Sequence, residues 1–517
     1  MVLLAAIDQG TSSSRFLVFE ADSGELLASH QIEVQQLFPN PGWVEMNPIE
    51  IVDTVKECMT KVAEQLESLS IAKYEIKSIG IANQRETTVV WDSETGMPLW
   101  NAIVWLDNRT EALAEESIKR TPSRSKDEFK RKTGLPIHPY FSALKLKWLM
   151  ENVDIVKEAN ARGKLMFGTI DTWLIWKLTG EHVTDVTNAS RTLLFDLHKR
   201  KWSTEMCEFF DIPQQLLPKI KSSAEIYGHI TSGPFGGVAI AGCLGDQQAA
   251  MVGHNCLNRG DTKNTYGTGT FMLCNIGTNL KISKSGLLTT VGYQLGPESP
   301  LVFAFEGSGS IGGNVVRFLR DNFNFIKETR QKASNSYCFK DASEMEEICR
   351  SVDSTEGVVF VPCFTGLYTP YWDPTAKGTI LGLTQVTTKA HICLAALQAV
   401  AFQSAEMLEE IQQELEDTPI HHFSTDGGMT ANVLFNEIQS DIIGKPIKTL
   451  KITEITGWGA AVAAGIGSQQ ICLDAFSSKQ PPATIYEPQT DERQREFEMS
   501  RWKKGVRRAC NWSHTCS

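Results

Sequence analysis

The sequence predicts an α/β fold built from two similar halves. Three observations support this prediction. Short apolar runs of strand length alternate with longer amphipathic stretches of helical period in both halves. A hairpin whose tip is rich in Gly and hydroxyl residues stands near the start of each half. The chain has 517 residues, 42% of them hydrophobic and 21% charged, which is ordinary for a globular protein of several domains.

The first half opens with a predicted hairpin. Residues 3–7 form a continuous apolar run typical of a buried strand, and residues 16–19 form a second. The turn formers of residues 8–15 lie between them. Further along, residues 48–66 have helical periodicity with Asn47 as N-cap, and residues 142–151 are amphipathic. Further apolar runs of strand length predict strands at residues 78–82, 87–91 and 238–242.

The second half repeats this construction. Residues 264–266 lead into the Gly/Thr tip 267–270, and a strand-like run covers residues 271–274. A further strand is predicted at 357–362, a long helix at 391–416 and a small-residue helix at 457–467. The two hairpins indicate an internal duplication, with chance similarity as the alternative. We place the boundary near residues 253–257, which gives domains 1–255 and 256–517.

Charge and composition exclude several classes of partner and compartment. The net charge of -11 argues against nucleic acid or an anionic membrane as a main partner. The first apolar run is too short for a signal peptide, and no stretch reaches the roughly 18–20 apolar residues of a transmembrane helix. The 12 Cys include no Cys-x-x-Cys pair, so we expect buried thiols in a reducing, cytoplasmic compartment. The basic stretch 501–508 is expected to be a solvated helix.

Three glycine-rich turns are candidate phosphate-binding loops. Glycine lets a phosphate approach backbone N–H groups closely, and Ser or Thr adds hydroxyl donors. Residues 10–13 and 267–269 supply both, and residues 426–432 place a Gly pair between a strand-like run and a helical one. The sequence contains neither a Gly-x-x-x-x-Gly-Lys-[Ser/Thr] loop nor a His-Arg-Asp motif. A nucleotide would therefore be bound by another architecture.

Polar residues at predicted strand ends are candidates for chemistry. Asp8 could hold a magnesium ion beside the first loop, with turn capping as the alternative. Asp246 follows a buried strand and could accept a proton from an alcohol, with helix N-capping as the alternative. Arg85 and Glu86 lie between two strands; they suit either the recognition of vicinal hydroxyls or an exposed charged turn.

Characteristic sequence blocks occur in order along essentially the whole chain, at residues 8–15, 41–45, 83–87, 101–105, 140–142, 167–176, 187–191, 245–248, 263–269, 286–290, 369–374 and 426–432. In these blocks the sequence resembles the glycerol kinases, within the carbohydrate kinase family of the actin/sugar-kinase fold. The Gly-Met-Thr-x-Asn form of the last loop is closer to eukaryotic members.

The resemblance implies a fold, an activity and a set of site residues. The fold would be two duplicated actin-like (ribonuclease H-like) α/β domains with the active site in the cleft between them. The activity would be transfer of a phosphoryl group from ATP, with Mg²⁺, to glycerol, in a homodimer or homotetramer. Asp246 would be the general base and Asp8 would lie near magnesium. The substrate residues would be Arg85, Glu86, Trp105, Tyr140, Asp246, Gln247 and Phe271. The nucleotide residues would be Thr11, Ser12, Ser13, Ser14, Arg15, Thr268, Gly313, Arg317, Gly427, Gly428 and Asn432.

The sequence departs from the family pattern at a few places. Arg317 stands where bacterial members carry Gln, and residues 232–237 lack the loop tied to fructose 1,6-bisphosphate inhibition, so we expect that control to be absent. Gly457-Trp458 replaces a usual Ala-Leu pair, and the tail 511–517 has no apolar extension. Two rival functions remain: a kinase for another sugar such as a pentulose, and a non-catalytic nucleotide-binding protein that acts through partners. The residues Asp8, Arg85 and Asp246 argue against the second.

Overall fold

The computed structural model describes residues 2–71, 75–309, 311–326, 340–373, 375–416, 418–420, 423–452, 454–478 and 482–512. The predicted polar tail therefore lies largely outside the described residues.

Strands alternate with helices along both halves. The described strands are β1 (Leu3–Gln9), β2 (Ser13–Glu20), β3 (Leu26–Glu33), β4 (Gln36–Leu37), β5 (Glu45–Met46), β6 (Ile76–Asn83), β7 (Val89–Asp92), β8 (Ala102–Ile103), β9 (Leu165–Gly168), β10 (Val183–Asp185), β11 (Phe195–Asp196), β12 (Lys201–Trp202), β13 (Lys219–Lys221), β14 (Gly228–His229), β15 (Ala239–Gly245), β16 (Thr262–Tyr266), β17 (Thr270–Gly277), β18 (Leu288–Tyr293), β19 (Val302–Gly309), β20 (Val359–Val361), β21 (Thr379–Leu381), β22 (Phe423–Asp426), β23 (Ile447–Leu450) and β24 (Ala483–Tyr486).

The described α-helices are α1 (Pro48–Ser68), α2 (Glu111–Arg120), α3 (Lys130–Thr133), α4 (Ser142–Asn152), α5 (Asp154–Ala161), α6 (Ile170–Thr179), α7 (Val186–Ala189), α8 (Thr204–Phe209), α9 (Asp246–Gly253), α10 (Asn314–Asp321), α11 (Lys340–Arg350), α12 (Lys389–Leu415), α13 (Val433–Ile443), α14 (Ile455–Gly467), α15 (Leu473–Ser477) and α16 (Glu492–Ala509). Short 3₁₀ turns cover Gln214–Leu216 and Gly428–Ala431.

Each half contains one large mixed sheet, and the two sheets are built alike. The first has the strand order β14-β15-β6-β1-β2-β3, and the second β18-β19-β17-β16-β22-β23-β24. In the first sheet β1 is antiparallel to β2 and parallel to β6, which is parallel to β15. In the second, β16 is antiparallel to β17 and parallel to β22, which is parallel to β23. This repeat confirms the predicted fold of two duplicated α/β domains.

The register of the parallel strands gathers the predicted functional loops. In the first sheet Gln9 pairs with Asn83, and Asn83 pairs with Gly245, so three strands end level with one another. In the second sheet Thr265 pairs with Asp426 in the same way. Because the carboxyl ends of parallel strands share one edge of a sheet, the loops that follow them form one surface. The candidate site is assembled at these two edges.

Helix α14 belongs to the second half of the chain but packs against the first sheet. Glycines allow this close approach, since a Cβ on Gly80 would lie 2.0 Å from the carbonyl oxygen of Ala460. A Cβ on Gly459 would lie 1.8 Å from the carbonyl oxygen of Ala249 in α9. The predicted boundary at residues 255 and 256 falls between α9 and β16. Packing between the halves nevertheless crosses it through α14.

The unusual Gly457-Trp458 pair lies in this packed region. The Trp458 ring is buried, with its centroid 5.4 Å from that of Phe19 and 6.4 Å from that of Phe476. A Cβ on Gly457 would lie 2.2 Å from Cδ1 of Leu17, so glycine leaves room for that side chain. The pair therefore fills the contact between α14 and β2.

Helix α12 is the one described helix that is long and apolar enough to cross a membrane by length and composition alone. Of its most apolar window, 83% is buried inside the protein. It packs against α13, β20 and the sheet strands β17 and β19. That environment is typical of a core helix.

Candidate active site

Three polar side chains lie at the carboxyl ends of adjacent strands in the first sheet. Asp8 is near the end of β1, Arg85 follows β6 by two residues, and Asp246 directly follows β15. The charge of Asp246 contributes to the raised pKa of Asp8, and the Nε of Arg85 lies 3.3 Å from Oδ1 of Asp246. The structure thus brings together the predicted metal, substrate and base residues.

Asp246 is the first residue of α9, and its N-cap is Gly245. Its Oδ1 accepts a hydrogen bond from the backbone N–H of Gln247 at 2.7 Å. Its side chain is 29% exposed, so the carboxylate is sheltered but still accessible. Burial raises the pKa of Asp246, while Arg85, the Gln247 N–H and Lys263 oppose that rise. Such a carboxylate can take up a proton from an alcohol.

Arg85 and Glu86 belong to a buried cluster of four charges. The Arg85 guanidinium forms two hydrogen bonds with Glu306, at 2.6 and 3.0 Å. Arg191 donates from Nε to Oε1 of Glu86 at 2.5 Å, and its Nη1 lies 3.2 Å from Glu306. All four side chains are at most 2% exposed. The exposed-turn alternative for Arg85 and Glu86 is therefore wrong.

Opposite charges set the protonation of this cluster. The pKa of Glu306 is lowered because the attraction of Arg191 and Arg85 outweighs its burial. Burial raises the pKa of Glu86, although both arginines oppose the rise. Two arginines and two glutamates thus neutralise one another inside the protein.

Glu306 and Arg191 were not among the predicted site residues. Arg191 is the last residue of the matching block 187–191, and no residue of that block had been assigned a role in the site. Glu306 follows the apolar run 301–305, so an isolated acid directly after an apolar run was the available signal. Its partner Arg85 is 221 positions away in the sequence.

Three aromatic rings stand together beside this cluster. The ring centroid of Trp105 is 5.5 Å from that of Tyr140 and 5.9 Å from that of Phe271, both edge to face. The guanidinium carbon of Arg85 lies 5.9 Å from the Phe271 ring centroid. Apolar ring faces beside charged donors and acceptors suit a small polyol, whose carbons and hydroxyls need different partners.

The first candidate phosphate loop closes tightly at the start of β2. Gly10 donates its N–H to the carbonyl of Ser13 at 3.0 Å, and the Thr11 hydroxyl accepts from Nε1 of Trp105 at 2.9 Å. The side chain of Ser12 is exposed and that of Ser13 is buried. The Ser14 hydroxyl instead bonds Gln9 at 2.6 Å inside the protein, away from the loop's exposed surface.

Arg15 connects this loop to α14. Its Nη1 lies 3.4 Å from Oδ2 of Asp8 and 3.1 Å from Oε2 of Glu454, the N-cap of α14. Its Nε donates to Gln31 at 2.8 Å. These three contacts therefore hold the Arg15 guanidinium beside the carboxylates of Asp8 and Glu454.

Asp8 suits a divalent cation. Its carboxylate is 7% exposed, and it bonds Arg15 rather than capping a turn. Burial raises the pKa of Asp8 to about 6; Arg15 opposes the rise, and the charges of Glu454 and Asp246 add to it. Carboxylate oxygens are preferred Mg²⁺ ligands, and a cation here would relieve repulsion among these acids. The residues present fit a magnesium ion.

The second candidate phosphate loop is held by the start of α10. Gly312 donates its N–H to the carbonyl of Thr268 at 2.9 Å, and Gly313 donates to that of Gly267 at 2.7 Å. A Cβ on Gly313 would lie 3.6 Å from the side chain of Met429, in the third glycine-rich turn. The structure therefore brings Thr268 and Gly313 beside the predicted nucleotide loop.

The third glycine turn packs directly on this hairpin. Gly427 has φ +93°, and a Cβ there would lie 2.4 Å from the carbonyl oxygen of Tyr266. Gly428 opens the 3₁₀ turn, and Asn432 caps α13 by accepting from the Phe435 N–H at 3.0 Å. Arg317, one turn into α10, is exposed. The third glycine turn therefore lies beside the second candidate loop and the start of α10.

A chain of polar contacts joins Gln247, a predicted substrate residue, to Asp426 in the third glycine turn. Lys263 donates to the Gln247 side chain and, at 2.9 Å, to the Thr265 hydroxyl. Thr265 donates to Asp426 at 3.0 Å, and Nε2 of His254 lies 2.6 Å from the same carboxylate. Burial lowers the pKa of Lys263 to about 8, against the pull of Asp426 and Asp246.

Comparisons with known families agree with this geometry. The model of the N-terminal domain of the FGGY family of carbohydrate kinases matches residues 3–253, and that of its C-terminal domain matches residues 262–468. A probable glycerol kinase of Caenorhabditis elegans is 68% identical over 514 residues, covering 99% of this chain and 100% of the relative. A glycerol kinase of Nocardia farcinica is 43% identical, covering 99% of each chain.

Solved structures give the same result at the level of the fold. The crystal structure of Plasmodium falciparum glycerol kinase with ADP is 36% identical, has a TM-score of 0.88 and covers 98% of both chains. A ligand-bound xylulose kinase of Lactobacillus acidophilus has a TM-score of 0.81 at 19% identity, covering 98% of this chain and 97% of its own. The second likeness concerns the fold alone.

Proposed function

This chain belongs to the FGGY family of carbohydrate kinases and, within it, to the glycerol kinases, and we propose that it phosphorylates glycerol with ATP to give sn-glycerol 3-phosphate and ADP. The observation that carries the proposal is the position of the Asp246 carboxylate. It lies 3.3 Å from Nε of Arg85, at the strand edge that also bears the first phosphate loop.

The charged cluster and the aromatic rings would hold the triol. Arg85 and Glu86 offer a donor and an acceptor to adjacent hydroxyls, as vicinal diols require. Asp246 and Gln247 would take a terminal hydroxyl, with Trp105 and its neighbouring rings Tyr140 and Phe271 against the carbon chain. Because the charges are fixed before substrate arrives, little reorganisation is needed when glycerol binds.

Phosphoryl transfer would follow from the position of the terminal hydroxyl. Asp246 accepts the hydroxyl proton as the oxygen bonds to the γ-phosphorus, and the bond from that phosphorus to the bridging oxygen of ADP breaks in line. A positioned base of this kind contributes roughly 10²–10⁴-fold to the rate. Two observations support the assignment: the raised pKa of Asp246 and the partial solvent exposure of its side chain.

ATP would lie between the two halves. The phosphates would contact the loop that contains Thr11, Ser12, Ser13 and Arg15 on one side and Thr268 on the other, and the adenosine would lie against Gly313, Arg317, Gly427, Gly428 and Asn432. Asp8 would hold Mg²⁺, which when bound neutralises charge on the phosphate oxygens. Closure of the two domains would exclude water and so limit ATP hydrolysis.

We place the enzyme in the cytoplasm. The ten described cysteines are free thiols and eight of them are buried, which is typical of proteins from a reducing compartment. A homodimer or homotetramer is the proposed assembly, and light scattering on the purified protein would test it.

The deciding experiment measures ADP release from Mg·ATP with glycerol, dihydroxyacetone, erythritol and xylulose. Glycerol should give the highest kcat/KM, and Asp246→Asn should lower kcat by at least 10²-fold while glycerol still raises the thermal midpoint. Asp196→Asn is the control: it alters a carboxylate, 3% exposed, that accepts from the backbone of His198 away from the cleft. Turnover of xylulose in preference to glycerol, or a fully active Asp246→Asn variant, would refute the proposal.

A further inference from the structure

The segment that carries β10 and α7 contacts the chain just before the base. The Thr187 hydroxyl accepts a hydrogen bond from the backbone N–H of Gly245 at 2.9 Å and donates to Oδ1 of Asp185 at 2.8 Å. Gly245 is the N-cap of α9, so the next residue is Asp246. One buried hydroxyl thus fixes the peptide that precedes the base.

The next residue of the same segment, Asn188, contacts the end of β6, the strand that precedes Arg85 and Glu86. The amides of Asn188 and Asn83 bond each other in both directions, at 2.9 and 3.0 Å. Asn83 is the last residue of β6, two positions before Arg85. Thr187 and Asn188 therefore bind the two strand ends that carry the base and the substrate residues.

Asp185 anchors both of these side chains. Its Oδ1 accepts from the Thr187 hydroxyl and from the backbone and side-chain N–H groups of Asn188, each at 2.8 Å. Its Oδ2 accepts from the Thr187 N–H at 2.8 Å and from the Ser223 hydroxyl at 3.0 Å. The carboxylate is fully buried. Because donors from the protein bond both oxygens, the Asp185 carboxylate orients the side chains of Thr187 and Asn188.

We propose that Thr187, oriented by Asp185, is a positioning residue that sets the backbone of Gly245 and thereby the carboxylate of Asp246. This inference rests on the proposed function. Without the hydroxyl, the Gly245 N–H has no acceptor in a buried place, and the first turn of α9 moves to find one. A displacement of about 1 Å at a reacting group can cost about 10²-fold in rate. Glycerol affinity is less affected, since Glu306 holds Arg85 and Arg191 holds Glu86, and neither contact involves Thr187.

The test uses Thr187→Val, which removes the hydroxyl and preserves the side-chain shape. We expect kcat with glycerol and Mg·ATP to fall by at least tenfold, while KM for glycerol changes by less than threefold. Thr187→Ser keeps the hydroxyl and should restore kcat to within threefold of wild type. Thr187→Ala carries the same prediction as Thr187→Val and replaces it if that variant does not fold.

Thr184→Val is the matched control. Thr184 is 1% exposed, and its hydroxyl also donates to a buried carboxylate, Asp171, at 2.6 Å. Its second acceptor is the backbone carbonyl of Asp185, at 3.4 Å, and the hydroxyl bonds neither the Asp185 carboxylate nor any part of α9. Its kcat should stay within threefold of wild type. Equal losses in Thr184→Val and Thr187→Val, or an unchanged kcat in folded Thr187→Val, would overturn the inference. Failure of the proposed function is distinct, because wild type itself would then not phosphorylate glycerol.

Discussion

Replacement of Glu306 by Gln tests whether the buried charge cluster prepares the site for substrate. Glu306 accepts two hydrogen bonds from Arg85, and its two oxygens lie against two different nitrogens of that guanidinium. Gln keeps the shape and one acceptor oxygen. Its amide NH₂ would face an Arg85 N–H, which is a contact between two donors.

The expected loss follows from these contacts. One hydrogen bond to a charged group contributes about 1.5–3 kcal/mol, and the variant loses at least one. Since about 1.36 kcal/mol corresponds to a factor of ten in rate, kcat/KM for glycerol should fall roughly 10- to 150-fold. The cluster also changes from neutral to a single positive charge in a buried place, so the thermal midpoint should fall as well.

Initial rates against glycerol concentration at saturating Mg·ATP provide the assay. Glu406→Gln is the control, because Glu406 is also buried, at 4% exposure, but accepts from Tyr371 and Trp502 far from the cleft. That variant should keep kcat/KM within about threefold of wild type. If folded Glu306→Gln retains wild-type kcat/KM, or if the control falls equally, the cluster does not prepare the site.

Two further predictions concern pH and packing. Burial lowers the pKa of Lys145 from 10.5 to about 7. Between these two pH values the unfolded state binds more protons than the folded state, so the free energy of unfolding rises with pH. Lys145→Met should have a shallower rise in thermal midpoint from pH 7 to 9 than wild type, and an identical slope would contradict this. Gly80→Ala places a Cβ 2.0 Å from the Ala460 carbonyl and should destabilise by about 1–3 kcal/mol or more. Gly236→Ala, whose nearest contact is 3.4 Å, should leave the thermal midpoint unchanged.

The sequence predicted elements best where the signals are local. The helix expected at residues 48–66 is α1, Pro48–Ser68, and the Asn47 side chain caps it by accepting from the Ile49 N–H at 2.9 Å. The helix expected at 391–416 is α12, Lys389–Leu415. A cap and a 3.6-residue period lie within one stretch of chain, so no knowledge of distant contacts is needed.

The proximity of the candidate site residues was predictable where polar residues follow strands and not where distant residues pair. Asp8, Arg85 and Asp246 stand after strand-like runs, and parallel pairing places those ends at one edge. Glu306 pairs with a residue 221 positions away, which no local pattern reveals. Ser14 was grouped with the first loop, but β2 begins at Ser13, and alternation turns the next side chain inward. Of the three serines at positions 12–14, only Ser12 is exposed.

The buried charges themselves need a physical reason, since an apolar contact would join the two halves at least as well. Replacing a buried ion cluster by well-packed apolar residues is often neutral or stabilising. An apolar contact, however, would offer a triol neither donors nor acceptors. In this cluster Glu306 of the second half neutralises Arg85 of the first, while Nε of Arg85 still faces Asp246 at 3.3 Å. Charge balance across the halves therefore keeps the Arg85 guanidinium buried and directed at Asp246, as the proposed role of that carboxylate requires.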